Sequence, residues 1–84
     1  MQDFFILKHD CEKFKEGALV KFIAIINEAC LIEEVNTKER KWVMRYDIYP
    51  LDNHDAYGWW SYDETYQNKI PKEHLETIKK IRLE

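Results

Sequence analysis

"ALVKFIAIINEACLIEEVN", residues 18–36, is the stretch that decides the fold class of this chain. Residues 18–26 are rich in β-branched side chains and almost continuously apolar, which is typical of a buried strand. Residues 27–28 then form a turn, and residues 29–36 form the next strand. A helix is the alternative, because five of the apolar side chains also have helical spacing: Leu19, Phe22, Ile23, Ile26 and Cys30. Other apolar residues, such as Leu31, would fall off that helical face, so the pattern favours a β-hairpin.

Strand-like segments lie on both sides of this hairpin. The apolar run at residues 3–8 is a strand or a packed extended arm, and would add an extra N-terminal strand. Residues 41–51 alternate in polarity, which is typical of a half-buried strand that ends at Pro50. One parity of that strand carries four apolar side chains: Trp42, Met44, Tyr46 and Ile48.

The C-terminal third is predicted to contain two more strands. We expect a strand at residues 59–64, a turn at residues 65–69, and one short 3₁₀ turn over residues 70–75, near Pro71. Residues 76–83 then form a last strand. The alternative is a helix that begins at Pro71, because three apolar residues would line one side of it: Leu75, Ile78 and Ile81.

Length and composition agree with one small β domain spanning residues 1–84. A chain of 84 residues buries only about 60–65% of its unfolded surface. The hydrophobic share of 45% and the charged share of 35% are typical of a folded domain rather than a disordered one. Several short strands separated by turns predict a mostly β fold, a small antiparallel barrel of about five strands.

The aromatic pair Trp59-Trp60, with Ile70-Pro71 and Leu75 after it, resembles the second half of an SH3 domain. In that family the pair opens a strand, a hairpin follows, and the Ile-Pro precedes a 3₁₀ turn and the last strand. The resemblance implies an SH3-like barrel in which Trp59 and Pro71 line a groove for proline-rich peptides. The Ala-Leu-Tyr-Asp-Tyr motif of the family's first strand is absent, and His74 stands where a tyrosine usually follows the proline. The upstream half is more similar to the broader SH3-like barrels, such as Tudor-type modules.

Acidic and aromatic residues are concentrated in one segment. Residues 46–68 contain no Lys or Arg, yet they hold five carboxylates, all five tyrosines and two of the three tryptophans. A cation over such a ring gains about 0.5–2 kcal/mol, and nearby carboxylates add to the attraction. Neighbouring strand residues point to opposite faces, so one of Trp59 and Trp60 would face solvent. The predicted partner-binding residues are Tyr46, Tyr49, Tyr57, Trp59, Trp60, Tyr62, Asp63, Glu64 and Pro71.

This pattern predicts a non-enzymatic protein-interaction module, or a small accessory factor, for a basic or proline-containing partner surface. The alternative is a nucleic-acid-associated barrel that uses basic residues outside the acidic segment: Lys38, Arg40, Lys41, Lys79 and Lys80. A formal net charge of −3 disfavours binding to a phosphate backbone. A third possibility is self-association through an unpaired edge strand.

Catalytic and metal-binding motifs are not apparent in the sequence. There is no phosphate-binding glycine loop, nucleophile elbow or H-E-x-x-H motif, so we expect neither an enzyme nor a cofactor. His9 and Cys11 form an isolated pair without further ligands at zinc-site spacing, so no metal is expected. Cys11 and Cys30 are expected to be reduced thiols, and the N-terminus lacks the pattern of a signal peptide, which favours a cytoplasmic location. No apolar run is long enough for a membrane span.

Overall fold

Five antiparallel strands form one sheet in the computed structural model, which describes residues 3–51 and 62–83. The strands are β1 (Phe4–Leu7), β2 (Leu19–Ile26), β3 (Ala29–Glu34), β4 (Arg40–Met44) and β5 (Ile48–Pro50). Their order across the sheet is β4-β3-β2-β1-β5. The mostly β fold of about five antiparallel strands that the sequence predicts is confirmed.

The hairpin at residues 18–36 is formed as expected. β2 pairs with β3, with a bulge between Phe22 and Ala24. Asn27 adopts a φ of 56° in the connecting turn, a left-handed conformation that asparagine tolerates better than most residues. The helical alternative for this segment is therefore wrong, because both of its halves are paired in the sheet.

The continuous strand predicted at residues 41–51 is instead two strands with a 3₁₀ turn, Arg45–Asp47, between them. The Met44 N–H donates to Asp47 Oδ2 at 3.0 Å, which stabilises the turn. A flat five-stranded sheet would place its edge strands about 19 Å apart. The Cα atoms of Met44 and Ile48 can be at most about 15 Å apart, so the sheet must curl to bring β4 and β5 together. Within the described residues these strands do not pair, and the sheet is not a closed barrel.

β1 is buried on both faces and separates two apolar clusters. Its four residues are all buried, and they alternate between the inner and the outer face of the curled sheet. The inner cluster contains Phe5, Leu7, Phe14, Val20, Cys30, Ile32, Val43 and Ile48. The helix-side cluster, on the outer face, contains Phe4, Ile6, Leu19, Val35, Tyr49, Leu51 and Ile78. A continuous apolar run therefore becomes a strand in the interior of the sheet rather than an added arm.

The C-terminal segment is helical, and three predictions for it are wrong. Helix α1 (Glu64–Lys69) replaces the expected turn, and helix α2 (Lys72–Leu83) replaces the 3₁₀ turn near Pro71 and the last strand at 76–83. α1 begins where Asp63 Oδ1 accepts a hydrogen bond from the Thr65 N–H at 2.9 Å, a favourable N-cap. α2 packs on the helix-side cluster through Ile78, with Ile81 beside it.

α2 therefore follows the helical alternative that the spacing of its apolar residues left open. The strand predicted at 59–64 lies mostly outside the described residues, and Glu64 already belongs to α1. Neither of the two helices that the structure describes has the length and apolar character needed to cross a membrane.

Candidate interaction surface

A row of charged side chains divides the outer face of the sheet into two halves. Lys21, Glu33 and Arg40 are cross-strand partners on β2, β3 and β4, so they share that face. Arg40 Nε donates to Glu33 Oε1 at 3.1 Å, and Lys21 Nζ lies 3.6 Å from Glu33 Oε2. The hydrogen bond from Arg40, more than any other effect, lowers the pKa of the Glu33 carboxyl. On one side of the row the outer face is covered by α2.

On the other side of the row the outer face is apolar and half-buried to exposed. The next two cross-strand rows of β2, β3 and β4 make up this open patch, which consists of Ala24, Ile26, Ala29, Leu31, Trp42 and Met44. Ile26 is 61% exposed and Trp42 is 49% exposed. Apolar residues scattered singly on a surface are ordinary, but a contiguous group on one sheet face is typical of a contact surface.

The connection between β1 and β2 approaches the edge strand β4. Cys11 and Phe14 exchange backbone hydrogen bonds of 2.8 and 2.9 Å, and the Phe14 side chain is buried in the inner cluster. Glu12 follows Cys11 with a φ of 55°, at the tip of this small hairpin. Glu12 Oε2 lies 3.0 Å from Lys41 Nζ of β4. The small hairpin is thus anchored at its base by the buried Phe14 ring and at its tip by the Glu12–Lys41 ion pair.

A cavity of about 310 Å³ lies between this hairpin tip and β4. We call it the β4 groove; Cys11 and Glu12 line one side, the range 41–44 lines the other, and Ala29 and Asp47 complete it. Its volume is at the lower end of the range for ligand sites, about 300–1,000 Å³. The groove is continuous with the open patch, because Ala29, Trp42 and Met44 belong to both.

Negative charge predominates around the β4 groove. Burial is the main reason that the pKa of the Cys11 thiol is raised, and three carboxylates raise it further: Asp47, Asp10 and Glu12. Lys41 opposes them. Two carboxylates, Glu12 and Asp47, line the groove with one ammonium, Lys41, so its lining carries a net negative charge next to the exposed Trp42 ring. The Cys30 thiol lies in the inner cluster, where burial raises its pKa to about 11.

Of the residues predicted to bind a partner, Tyr46 lies near the open patch. Its hydroxyl donates to Glu28 Oε2 at 2.6 Å, and Glu28 Oε1 lies 3.5 Å from Arg45 Nη2. The Arg45 N–H also donates to the Glu28 carbonyl, which places Tyr46 next to the β2–β3 turn. The hydrogen bond to the Glu28 carboxylate is the main reason that the pKa of Tyr46 is raised.

The other predicted residues are distributed differently. Tyr49 is buried in the helix-side cluster, so its ring is not available to a partner. Its hydroxyl donates to Gln67 Oε1 at 3.2 Å and accepts from the Asp63 N–H at 3.4 Å. Tyr62 and Glu64 are exposed beside Asp63, the N-cap of α1, and Pro71 is half-buried before α2. Tyr57, Trp59 and Trp60 lie outside the described residues.

The tyrosines of the acidic segment already have cations from this chain nearby. Lys8 Nζ lies 4.9 Å and Lys69 Nζ 5.4 Å from the centre of the Tyr66 ring. The Arg45 guanidinium lies 5.6 Å from the centre of the Tyr46 ring. Cation–tyrosine attraction in this segment is therefore at least partly intramolecular. Sequence spacing could not reveal this, because Lys8, Lys69 and Arg45 lie outside residues 46–68.

The basic residues of the alternative hypothesis are partly neutralised. Arg40 is bonded to Glu33, and Lys41 is paired with Glu12. Lys79 and Lys80 are exposed on α2. Among residues 3–51 and 62–83, no three His, Cys, Asp or Glu side chains are grouped so that they could hold a metal ion.

Trp42 and Glu12 are the site residues that sequence reasoning did not select. The alternation at residues 41–51 assigns Trp42 to the apolar, buried parity of the predicted strand, and this is wrong for β4: Val43 is buried, and Trp42 and Met44 are exposed. Glu12 is separated from Trp42 by 30 positions and reaches the groove only because Phe14 anchors the hairpin. Comparisons with protein-family models, with curated proteins and with solved structures give no match to this chain.

Proposed function

We propose that this chain is a small, non-enzymatic protein-interaction module that binds a basic segment of a partner protein in the β4 groove. The observation that carries the proposal is the position of Trp42, half-exposed in an apolar patch, in a groove that two carboxylates, Glu12 and Asp47, line together with one lysine. A Lys or Arg side chain over such a ring contributes about 0.5–2 kcal/mol, and the carboxylates favour cationic partners over anionic ones. The two free thiols are compatible with a cytoplasmic module.

An SH3-like barrel remains part of this proposal, but it is assigned to different residues of the chain. In the SH3 pattern a 3₁₀ turn is followed directly by the last strand. Here the 3₁₀ turn at Arg45–Asp47 is followed directly by β5, which supports assigning the SH3-like unit to residues 4–50 rather than to the second half of the chain. In this assignment α1 and α2 are an addition that covers half of the outer face.

The binding test uses a defined basic peptide, an acetylated and amidated heptapeptide that alternates valine and arginine. Fluorescence anisotropy would measure its affinity for the wild type and for Glu12→Gln, Trp42→Ala and the control Glu76→Gln. Glu76 is an exposed acid on α2, away from the groove. We expect Trp42→Ala to weaken binding at least about fivefold, as for a central aromatic contact. Glu12→Gln should weaken it about two- to fivefold, because one partly exposed ion pair is lost.

The control defines the result that would contradict the proposal. Equal affinities for Glu12→Gln and Glu76→Gln, together with an unchanged affinity for Trp42→Ala, would mean that the peptide does not use the β4 groove. The alternative function, nucleic-acid binding, requires a positively charged surface instead of an acidic one. A single-stranded oligonucleotide that bound more tightly than the basic peptide, with affinity falling steeply as salt is raised, would favour nucleic acid as the partner.

A further inference from the structure

The edge of the sheet beside the β4 groove exposes backbone hydrogen-bonding groups. β4 is an edge strand, and β3 is its one neighbour within the described residues. The Glu34 N–H donates to the Glu39 carbonyl, and the Arg45 N–H donates to the Glu28 carbonyl. These two bonds show which residues of β4 bond to β3. In an antiparallel ladder alternate residues bond to the same neighbour. Residues 41, 43 and 45 therefore bond to β3, and residues 40, 42 and 44 direct their backbone groups to the open edge.

One of these three edge positions is already occupied. The Met44 N–H donates to Asp47 Oδ2 at 3.0 Å, so the 3₁₀ turn terminates the edge. Trp42, in the middle of β4, is the position where both an N–H and a carbonyl face the groove. The acidic turn and the charged Lys41 beside this position are devices that protect an edge strand from indiscriminate pairing.

The two faces of β4 would present different surroundings to an added strand. Side chains on the Trp42 face would extend the open patch, next to Trp42 and Met44. Side chains on the opposite face would lie on the same side as Lys41, whose Nζ is 3.0 Å from Glu12 Oε2 at the hairpin tip. Because successive residues of a strand alternate between faces, a segment that alternates apolar and basic residues matches both surroundings.

We propose that the partner segment binds by strand addition to β4, with its backbone bonded to the N–H and carbonyl of Trp42 and its basic residues on the Glu12 side. This inference rests on the proposed function, since it specifies how the same groove holds its ligand. It also distinguishes between the two expected kinds of partner. A strand must supply N–H groups to the edge, whereas a proline-rich segment lacks many of them.

Backbone methylation of the valine–arginine heptapeptide tests the proposal. One version is N-methylated at every valine and the other at every arginine, so that each removes one alternating set of N–H groups. In antiparallel addition the residues opposite Trp42, the valines, make the bonds; in parallel addition the arginines make them. Methylation of one set should weaken binding at least about tenfold, while methylation of the other set changes affinity by less than about threefold.

A second measurement follows the Trp42 amide itself. Hydrogen exchange of this amide should slow at least about tenfold when the unmethylated peptide is bound. Equal affinities of both methylated peptides, or an unchanged exchange rate, would overturn strand addition while leaving the proposed function in place. If neither the unmethylated peptide nor a proline–arginine heptapeptide binds at about 1 mM, the proposed function fails, and strand addition fails with it.

Discussion

Substitution of Ile78 tests whether α2 covers one half of the outer face of the sheet. Ile78 is 5% exposed and packs in the helix-side cluster, whereas Leu75, on the same helix, is 44% exposed. Truncation of a buried Ile to Ala costs about 2–5 kcal/mol. Folded domains have about 0.05–0.15 kcal/mol of stability per residue, so a chain of 84 residues has about 4–13 kcal/mol in total. Ile78→Ala should therefore remove a large share of the free energy of unfolding.

Leu75→Ala is the matched control, because it removes a similar side chain from the same helix. We expect it to cost less than about 1 kcal/mol, since much of the side chain is already in water. Urea unfolding followed by circular dichroism would measure both variants, and thermal unfolding should show Ile78→Ala melting at least about 8 °C lower than the wild type.

The same pair of variants can refute the division of the sheet into a covered and an open half. If Ile78→Ala and Leu75→Ala destabilise equally, or if both cost less than about 1 kcal/mol, α2 does not dock as described. Ile78→Ala should also leave the affinity of the β4 groove unchanged under conditions where the protein is folded, because the groove lies beyond the charged row.

Three further results are expected from titration and labelling. The pKa of Glu33 is lowered in the folded chain, so its contribution to stability is present above the unfolded pKa and is lost as the pH falls. The Glu33→Gln variant lacks this titrating group, and we expect it to lose less stability than the wild type between about pH 5 and pH 3. The hydrogen bond to Glu28 raises the pKa of Tyr46, and Glu28→Ala should lower that pKa in an NMR titration; no change would contradict the bond. With a pKa of about 11, only about one Cys30 thiol in a thousand is ionised at pH 8, so iodoacetamide should label Cys11 before Cys30. Cys11 lines the β4 groove, so bound peptide should slow the labelling of Cys11.

The strands β1, β2 and β3 could be predicted because their local signals favoured strands over the alternatives. Residues 18–36 combine β-branched runs with a short polar turn, and β1 is a continuous apolar run. The break at Arg45–Asp47 was missed because the alternation of Trp42, Met44 and Tyr46 continues through the turn, and only the bond from the Met44 N–H to Asp47 Oδ2 reveals it. The turn and strand predicted in place of α2 followed the SH3 resemblance, whereas the three-residue spacing of Leu75, Ile78 and Ile81 fits a helix and not the alternation of a strand.

The candidate surface could be predicted only in part. The sequence predicts an acidic aromatic site for a cationic partner, and the site that we propose in the β4 groove shares only Asp47 with that segment. Tyr49 could not be recognised as a core residue, because its burial depends on the packing of α1 and α2 against β5. Glu12 and Trp42 could not be associated, because their proximity depends on the curl of the sheet and on the anchoring of Phe14 in the inner cluster.

The most direct test of the account is an NMR map of where the valine–arginine heptapeptide binds. A titration of ¹⁵N-labelled protein would report the shift of every backbone amide. We predict that the largest shifts occur at residues 10–12 and 40–47, on the two sides of the β4 groove. Shifts concentrated at residues 62–71, or on the α2 lysines, with none in β4, would contradict the claim that Trp42 and the surrounding carboxylates form the binding surface.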